Sequence, residues 1–308
     1  MKRGLWYQMK NQKELIFISL PFFIYTFIFF YYPLWGWTMA FQDVSTLRQS
    51  RVPFLERDWI GFQHFQKLFA DTEFLNVIRN TLAMGALTMV LSFVTAIVFA
   101  LLLNELASNK YKRVVQTVSY MPHFLSMIIV VSLVQSMLAM DDGVLNEVLL
   151  SLGLIQEKIH FMGRPEYFWW IMGFTHVWKE MGWNTIIYLA AITSIDPTLY
   201  EAADIDGANR LQKNLHITLP GIRSTIVVLL ILNIGWVLNV GFEMPYLFEN
   251  SLISDVSRTI DIYVVKKGIA MLNFSLATAA GMFKTVVSVI LIGACNYIAG
   301  RMGEEKLI

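Results

Sequence analysis

Residues 196–220 read DPTLYEAADIDGANRLQKNLHITLP, a polar stretch that lies between two apolar regions. Asp196 is placed to cap a helix whose first residue is Pro197, because an aspartate oxygen accepts hydrogen bonds from the free N–H groups of a first helical turn. Gly207 can adopt the positive φ that ends such a helix. The stretch therefore predicts a short helix with a defined beginning and a defined end.

A second short helix is expected after the glycine. Leu211 and Leu215 are spaced to share one of its faces, and Pro220 ends the loop and fits the first turn of the next helix. Ala202 and Ala203 leave one face of the first helix nearly bare, so the backbone of another protein can approach closely. We expect two short helices at an angle, held at both ends by apolar helices and suited to the cleft of a partner protein.

The apolar regions outside this loop indicate the class of protein. Of the 308 residues 56% are hydrophobic and only 15% are charged, whereas a soluble chain carries about 25% charged residues. Charge-free stretches long enough to cross ~30 Å of hydrocarbon recur along the chain. We predict an all-α integral membrane protein, a single domain over 1–308, with six transmembrane helices at about 15–41, 80–104, 114–140, 167–195, 222–242 and 275–299.

Basic residues predict the orientation. Lys and Arg are nearly twice as dense in the loops that lie inside if the N-terminus is inside, so both termini are expected in the cytoplasm. The first apolar stretch follows Lys2, Arg3, Lys10 and Lys13, but it is nearly twice as long as the apolar core of a cleavable signal peptide and is expected to be retained.

The net charge of +1 gives no basic face for nucleic acid, and one cysteine, Cys295, excludes an internal disulfide.

The 196–220 stretch resembles the EAA loop of the permease subunits of binding-protein-dependent ABC importers. The match consists of Glu201-Ala202-Ala203, Gly207 and the Ile217-Thr218-Leu219-Pro220 ending, at the family's spacing. Further stretches are similar to the carbohydrate group of this family, and within it to the lipoprotein-associated permeases for polysaccharides and complex oligosaccharides: SYMPHF (119–124), WKEMGWNTIIYLAA (178–191), GFE (241–243) and TAAGMFK (278–284).

The resemblance implies a type I ABC importer permease (MetI-like) fold with a cytoplasmic EAA coupling hairpin, in a bacterial cell membrane. It implies import of an oligosaccharide or polysaccharide-derived sugar, handed over by an extracytoplasmic sugar-binding protein. The hairpin would dock into an ATPase subunit. The implied ATPase-coupling residues are Glu201, Ala202, Ala203, Asp206, Gly207, Leu211 and Leu215.

The partners follow from the same resemblance. The chain contains no GxxxxGK[ST] segment to hold nucleotide phosphates, so we expect no cofactor in this chain, with ATP and Mg bound by two separate ABC ATPase subunits. A second, non-identical permease subunit, membrane lipid and the sugar-binding protein complete the expected partners. No metal site and no catalytic residue is expected, and the chain is predicted to be a transport subunit and not an enzyme.

Polar residues inside the predicted spans are candidates for a substrate path. On the fourth span they recur at i, i+4 and i+8 with an indole beside them, and on the fifth at i, i+3 and i+7. Carboxylates and amides pair with sugar hydroxyls, while indoles cover the C–H faces of the ring. The candidates are His176, Glu180, Trp183, Asn184, Trp236, Asn239 and Glu243.

Alternatives remain open at this level. Charged residues within the spans can instead neutralise one another as packing ion pairs, among Lys179, Glu180, Lys284 and Glu243. Pro122 is expected to kink the third span; His123 either faces the cavity or, as we favour, bonds the carbonyl that the proline frees. The alternative functions are a secondary sugar transporter, which would show inverted repeats and an acidic proton relay, and a membrane anchor or sensor subunit that does not transport.

Overall fold

The computed structural model of the chain describes residues 12–301. These residues form helices and connecting loops, with one isolated β-bridge between Gln42 and Trp59, which agrees with the predicted all-α class. The basic residues Lys2, Arg3 and Lys10 and both termini, on which the predicted orientation partly depends, lie outside the described residues.

Thirteen helices carry labels in chain order. The first six are α1 (Lys13–Phe41), α2 (Gln63–Ala70), α3 (Thr72–Asn104), α4 (Asn109–Phe124), α5 (Met127–Met137) and α6 (Val144–Ser151). The others are α7 (Pro165–Thr193), α8 (Pro197–Ile205), α9 (Arg210–Gly221), α10 (Arg223–Gly235), α11 (Glu243–Phe248), α12 (Ile260–Val265) and α13 (Phe274–Arg301). Shorter helical turns lie at Leu47–Ser50, Phe54–Glu56, Phe161–Gly163, Ser254–Ser257 and Lys266–Ala270.

Three of the described helices, α1, α3 and α13, are long and apolar enough to cross a membrane by length and composition. Two bent pairs, α4 with α5 and α9 with α10, raise the number to five if each pair forms one span. The remaining predicted span, the fourth at 167–195, corresponds to α7, which has 29 residues. Charged and polar side chains in the middle of α7 make it less apolar than the others, so the count of six stays a prediction.

The predicted kink at Pro122 is present. Residues Met121–Phe124 form a 3₁₀ turn at the end of α4, and the axes of α4 and α5 differ by 101°. After the break, Ser126 caps α5 by accepting a hydrogen bond from the Ile129 N–H at 3.4 Å. The third charge-free stretch is therefore two helices at a steep angle and not one continuous helix.

The fifth predicted span, 222–242, is helical only as far as Gly235. The segment that follows α10 leaves the helical conformation and lies against α3, where Gly85 faces the carbonyl group of Val237. A Cβ atom added to Gly85 would lie 1.9 Å from that carbonyl oxygen. Non-helical backbone at membrane depth is tolerated where protein buries it. Because Gly85 has no side chain, α3 can approach closely enough to cover the carbonyl group of Val237.

By its internal contacts the chain divides into two compact units. One comprises the chain up to Ala70 together with Val264–Met282, and the other comprises Asp71–Tyr263 together with the chain from Phe283 onward. The predicted single domain stays a prediction.

In the first unit, the hydroxyl group of Ser275 connects two parts of the chain that are distant in sequence. It donates to the carbonyl of Gln42 at 2.6 Å and accepts from the N–H of Val44 at 2.8 Å. Both hydrogen bonds are buried. They give partners to two backbone groups that would otherwise be buried without one.

In the second unit, α3 and α7 share the most extensive helix contact. Two apolar clusters occupy the core of this unit. One contains Met84, Val131, Phe168, Met172, Met244, Phe248 and Ile253, and the other contains Ala96, Ala100, Leu103, Tyr188, Leu189, Ile192 and Ile222. The polar residues of α7 are therefore held between apolar layers that fix their positions.

Candidate functional site

The first helix of the hairpin, α8, begins and ends where the sequence predicts. The N–H of Thr198 donates to Asp196 Oδ1 at 2.9 Å, and this hydrogen bond holds the pKa of the Asp196 carboxyl below its ordinary value. At the other end Gly207 has a φ of +75°, a conformation that residues with a Cβ rarely adopt. The N–H of Ala208 reaches back to the Ala203 carbonyl at 2.9 Å and closes the end of the helix.

The second helix, α9, is fixed to the first by side chains. Asn209 and Gln212 form a reciprocal capping box at its beginning, with hydrogen bonds of 2.9 Å and 2.8 Å. Lys213 forms an ion pair with Asp204 of α8. Residues Asn214–Thr218 then form a π-helical turn. The capping box stabilises the beginning of α9, and the ion pair holds α9 to α8.

The hairpin exposes apolar side chains on a polar loop. Leu211 is 68% exposed, Leu215 is 50% exposed and Ile205 is 88% exposed. The other predicted coupling residues are also exposed, except for the half-buried Ala203: Glu201, Ala202, Asp206 and Gly207. Ile205 was not among the predicted coupling residues. The sequence did contain a signal for it, because an isoleucine directly before the Asp206-Gly207 pair that ends the helix has no core to join. Several large apolar side chains exposed on one short loop are typical of interaction sites.

Three of the predicted path residues line one cavity. It has a volume of about 160 Å³, lies between α3, α7 and the segment after α10, and is lined by His176, Trp236 and Asn239. Asn233 of α10 and Thr88 of α3 add further polar groups to the lining. The structure therefore brings together residues from both predicted stripes.

Two more predicted residues, Glu180 and Trp183, belong to a separate cluster at the bend between α4 and α5. His123 Nδ1 lies 2.7 Å from Glu180 Oε2, and the ring of His123 stacks on Trp183 with centroids 4.3 Å apart and planes 4° apart. Lys179 Nζ donates to the carbonyl of His123 at 2.6 Å and lies 3.4 Å from Glu180 Oε1. The expectation that His123 bonds a freed carbonyl is wrong, because its own carbonyl binds Lys179 while its ring binds Glu180.

The last two path candidates lie apart from both groups. Asn184 donates to Ser92 Oγ of α3 at 3.1 Å, so its amide joins two helices. Glu243 is exposed at the beginning of α11.

The ion-pair alternative holds in part. Lys179 is paired with Glu180 as proposed, but Lys284 pairs with Asp261 at 2.6 Å and not with Glu243.

Comparison with known proteins identifies the family. The sequence pattern of the family described as "Binding-protein-dependent transport system inner membrane component" matches residues 89–304. The chain belongs to this family. The match includes the bend at Pro122, all seven predicted path residues and the whole hairpin. The predicted permease family is confirmed.

Relatives with high similarity extend over nearly the whole chain. The chain is 44% identical to the polygalacturonan/rhamnogalacturonan transport system permease protein YteP of Bacillus subtilis, over 99% of this chain and 94% of that protein. It is 42% identical to the protein LplB of the same organism, over 97% and 92%. A permease chain in the crystal structure of a bacterial alginate ABC transporter in complex with an alginate pentasaccharide-bound periplasmic protein superposes with a TM-score of 0.89 at 36% identity, covering 99% of this chain and 100% of that chain.

These similarities decide two of the predictions. The chain has the helical fold of an ABC importer permease, and permease subunits are not enzymes, since ATP hydrolysis resides in separate ATPase subunits. The family description also agrees with the predicted membrane location.

Proposed function

We propose that this chain is the transmembrane permease subunit of an ATP-driven importer that moves an oligosaccharide, or a sugar derived from a polysaccharide, into the cytoplasm. YteP is named for transport of polygalacturonan and rhamnogalacturonan, and the similar crystal structure contains an alginate pentasaccharide on its periplasmic protein. Identity of 44% to YteP over 99% of this chain and 94% of that protein supports the same class of substrate for this chain.

The observation that carries the proposal is the braced hairpin with exposed apolar side chains. It lies in the chain between α7, which carries His176, Glu180 and Trp183, and α10, which Trp236 and Asn239 follow. A partner that grips Leu211, Leu215 and Ile205 could therefore move both helices without crossing a flexible linker. We assign ATPase coupling to the seven predicted hairpin residues together with Ile205.

The substrate path follows the polar groups. In the cavity, the Trp236 indole can cover a sugar ring while the Asn239 amide pairs with its hydroxyls. Trp183 and Glu180 offer the same combination at the bend. His176 adds a donor or acceptor between them, and Asn184 and Glu243 extend the path along the two helices. Spatial continuity alone does not prove coupling, so the path needs its own variants.

The complete transporter then contains several chains. We assign six spans to this subunit, with α7 as the fourth, both termini and the hairpin in the cytoplasm, and one domain over 1–308. A second, non-identical permease and two ATPase subunits that bind ATP and Mg complete the core. An extracytoplasmic sugar-binding protein delivers the substrate.

Reconstitution tests this proposal. The permease is purified with the subunits that accompany it from native membranes, placed in lipid nanodiscs, and given the binding protein with a pool of pectin-derived, alginate-derived and neutral oligosaccharides. We expect sugar-loaded binding protein to stimulate ATP hydrolysis, and Gly207→Pro to abolish the stimulation because proline cannot adopt a positive φ. The matched control is Gly153→Pro, at a second exposed glycine with a φ of +67° outside the hairpin. Intact stimulation in the Gly207 variant would refute the coupling role.

A further inference from the structure

We infer that Glu105, which follows the last residue of α3, is a positioning residue for ATP coupling that ties the hairpin to a third transmembrane helix. This inference rests on the coupling role proposed for the hairpin. The chain itself joins the hairpin to α7 and α10 only. Glu105 adds a non-covalent connection to α3, the helix that contacts α7 most extensively.

The connection is a continuous series of hydrogen bonds. The amide of Asn214 donates to Glu105 Oε1 at 3.0 Å, and Asn214 Oδ1 accepts from the Thr218 hydroxyl at 3.2 Å. Tyr200 of α8 lies 2.9 Å from Thr218 Oγ1 and can donate to it. The series therefore runs from the end of α3 through α9 to α8, and it reaches both helices of the hairpin.

The π-helical turn in α9 makes this series possible. Both Asn214 and Thr218 belong to the turn Asn214–Thr218, and their side chains bond to each other while also facing α3 and α8. Thr218 is fully buried, so its hydroxyl is shielded from competing water. Single π turns inside α-helices are frequently found at functional sites.

The position of Glu105 is electrostatically unfavourable for α3 alone. A carboxylate at the C-terminal end of a helix is repelled by the negative end of the helix dipole, so helix stability gives no reason for an acid there. Arg210 lies 3.5 Å from Glu105 Oε2, but its side chain is 77% exposed, and exposed pairs of this kind contribute little. The hydrogen bond from Asn214 is the specific contact, and it joins α3 to the hairpin.

The mechanical consequence is that the hairpin and the end of α3 move together. When an ATPase displaces the hairpin, α3 is displaced with α7 and α10. Since Gly85 of α3 lies against the backbone beside the Trp236 cavity, the displacement also reaches the proposed path from the opposite wall.

The test uses variants in the complete reconstituted transporter with the mixed oligosaccharide pool. Glu105→Gln keeps an oxygen that can accept from Asn214 but removes the charge that strengthens this hydrogen bond, and Thr218→Val removes the buried hydroxyl at nearly constant shape. Because a charge-assisted hydrogen bond is about twice as strong as a neutral one, we expect the stimulation of ATP hydrolysis by loaded binding protein to fall about fivefold in Glu105→Gln. Assembly with the ATPases and basal hydrolysis should be retained. Glu157→Gln, at an exposed loop carboxylate, is the matched control.

Rescue separates positioning from simple destabilisation. In the double variant Glu105→Gln with Asn214→Asp, the new amide at position 105 can donate to the new carboxylate at position 214, which still accepts from Thr218. We expect this double variant to regain most of the stimulation. If the unmodified transporter is stimulated and Glu105→Gln is stimulated equally, or if the double variant is no better than the single one, the inference is wrong while the proposed function stands. If the unmodified transporter shows no stimulation, the proposed function itself fails.

Discussion

The contact between α3 and the segment after α10 leads to a quantitative prediction. A methyl group at Gly85 would lie 1.9 Å from the Val237 carbonyl oxygen, and Cβ atoms essentially never approach another atom within 3.0 Å. Gly85→Ala therefore requires the two backbones to separate by about 1 Å, because neither contact atom belongs to a side chain that can rotate away. Overpacking of this kind costs about 1–3 kcal/mol.

Two measurements check this prediction. We expect the Tm of the purified protein to fall by a few degrees, and substrate transport to fall more strongly, because Val237 adjoins the cavity residue Trp236. The matched control is Gly293→Ala in α13, where an added methyl group meets no atom within 4 Å and alanine is the better helix former. If Gly85→Ala equals the unmodified protein in both Tm and transport, the close backbone contact is refuted.

Three further predictions concern charge and substrate. The lowered pKa of Asp196 means that its cap is complete above the ordinary aspartate pKa and is lost as the pH falls through the lowered value. The protection factors of the α8 amides, which are exchange rates corrected for the intrinsic pH dependence of exchange, should therefore fall at low pH, and Asp196→Asn should remove this fall. Glu180→Gln and Trp236→Ala should both weaken the apparent substrate affinity in transport assays, because each changes a side chain that the proposed substrate path assigns to sugar contact. Lys284→Met should lower the stability by up to about 3 kcal/mol, since it leaves Asp261 partly buried without its partner, and thermal unfolding measures it.

Each of these has its own contradicting outcome. The Asp196 prediction is wrong if the cap is insensitive to pH. The path prediction is wrong if flux and affinity are unchanged in both variants, and the ion-pair prediction is wrong if the Tm of Lys284→Met is unchanged. The double variant Lys284→Met with Asp261→Leu serves as a control for the last, because replacing both partners by apolar residues restores much of the lost stability.

Local features of the fold were predictable from the sequence. The cap at Asp196 and the positive φ at Gly207 depend only on neighbouring residues, so residue type and position were sufficient. The kink at Pro122 follows in the same way from a missing N–H group. Long charge-free stretches likewise predicted α1 and α3.

Contacts between distant residues were not predictable. The apolar stretch 222–242 gave no sign that α10 ends at Gly235, because the cause lies in packing against Gly85 more than a hundred residues earlier. Glu180 was placed on a path by helical spacing, but its partner His123 lies on another helix. Periodicity identifies the face of a helix and not the element that covers it.

The hairpin of α8 and α9 shows the same division. Leu211 and Leu215 were found by their spacing, whereas the bond between Glu105 and Asn214 joins residues 109 positions apart. The π-helical turn that aligns Asn214 has no recognisable sequence signal here. The two helices of the hairpin could therefore be predicted from the sequence, but their connection to α3 required the structure.

A cross-linking measurement tests the central claim most directly. A photoreactive probe is attached at Leu211→Cys in a Cys295→Ser background, in inverted membrane vesicles that contain the complete transporter. We predict that illumination links this position to an ATPase subunit, and that the same probe at the control Ser151→Cys, in a segment predicted to be extracytoplasmic, gives no such product. A probe at position 211 that captures no nucleotide-hydrolysing subunit, or that reacts only from the extracytoplasmic side, would contradict the account.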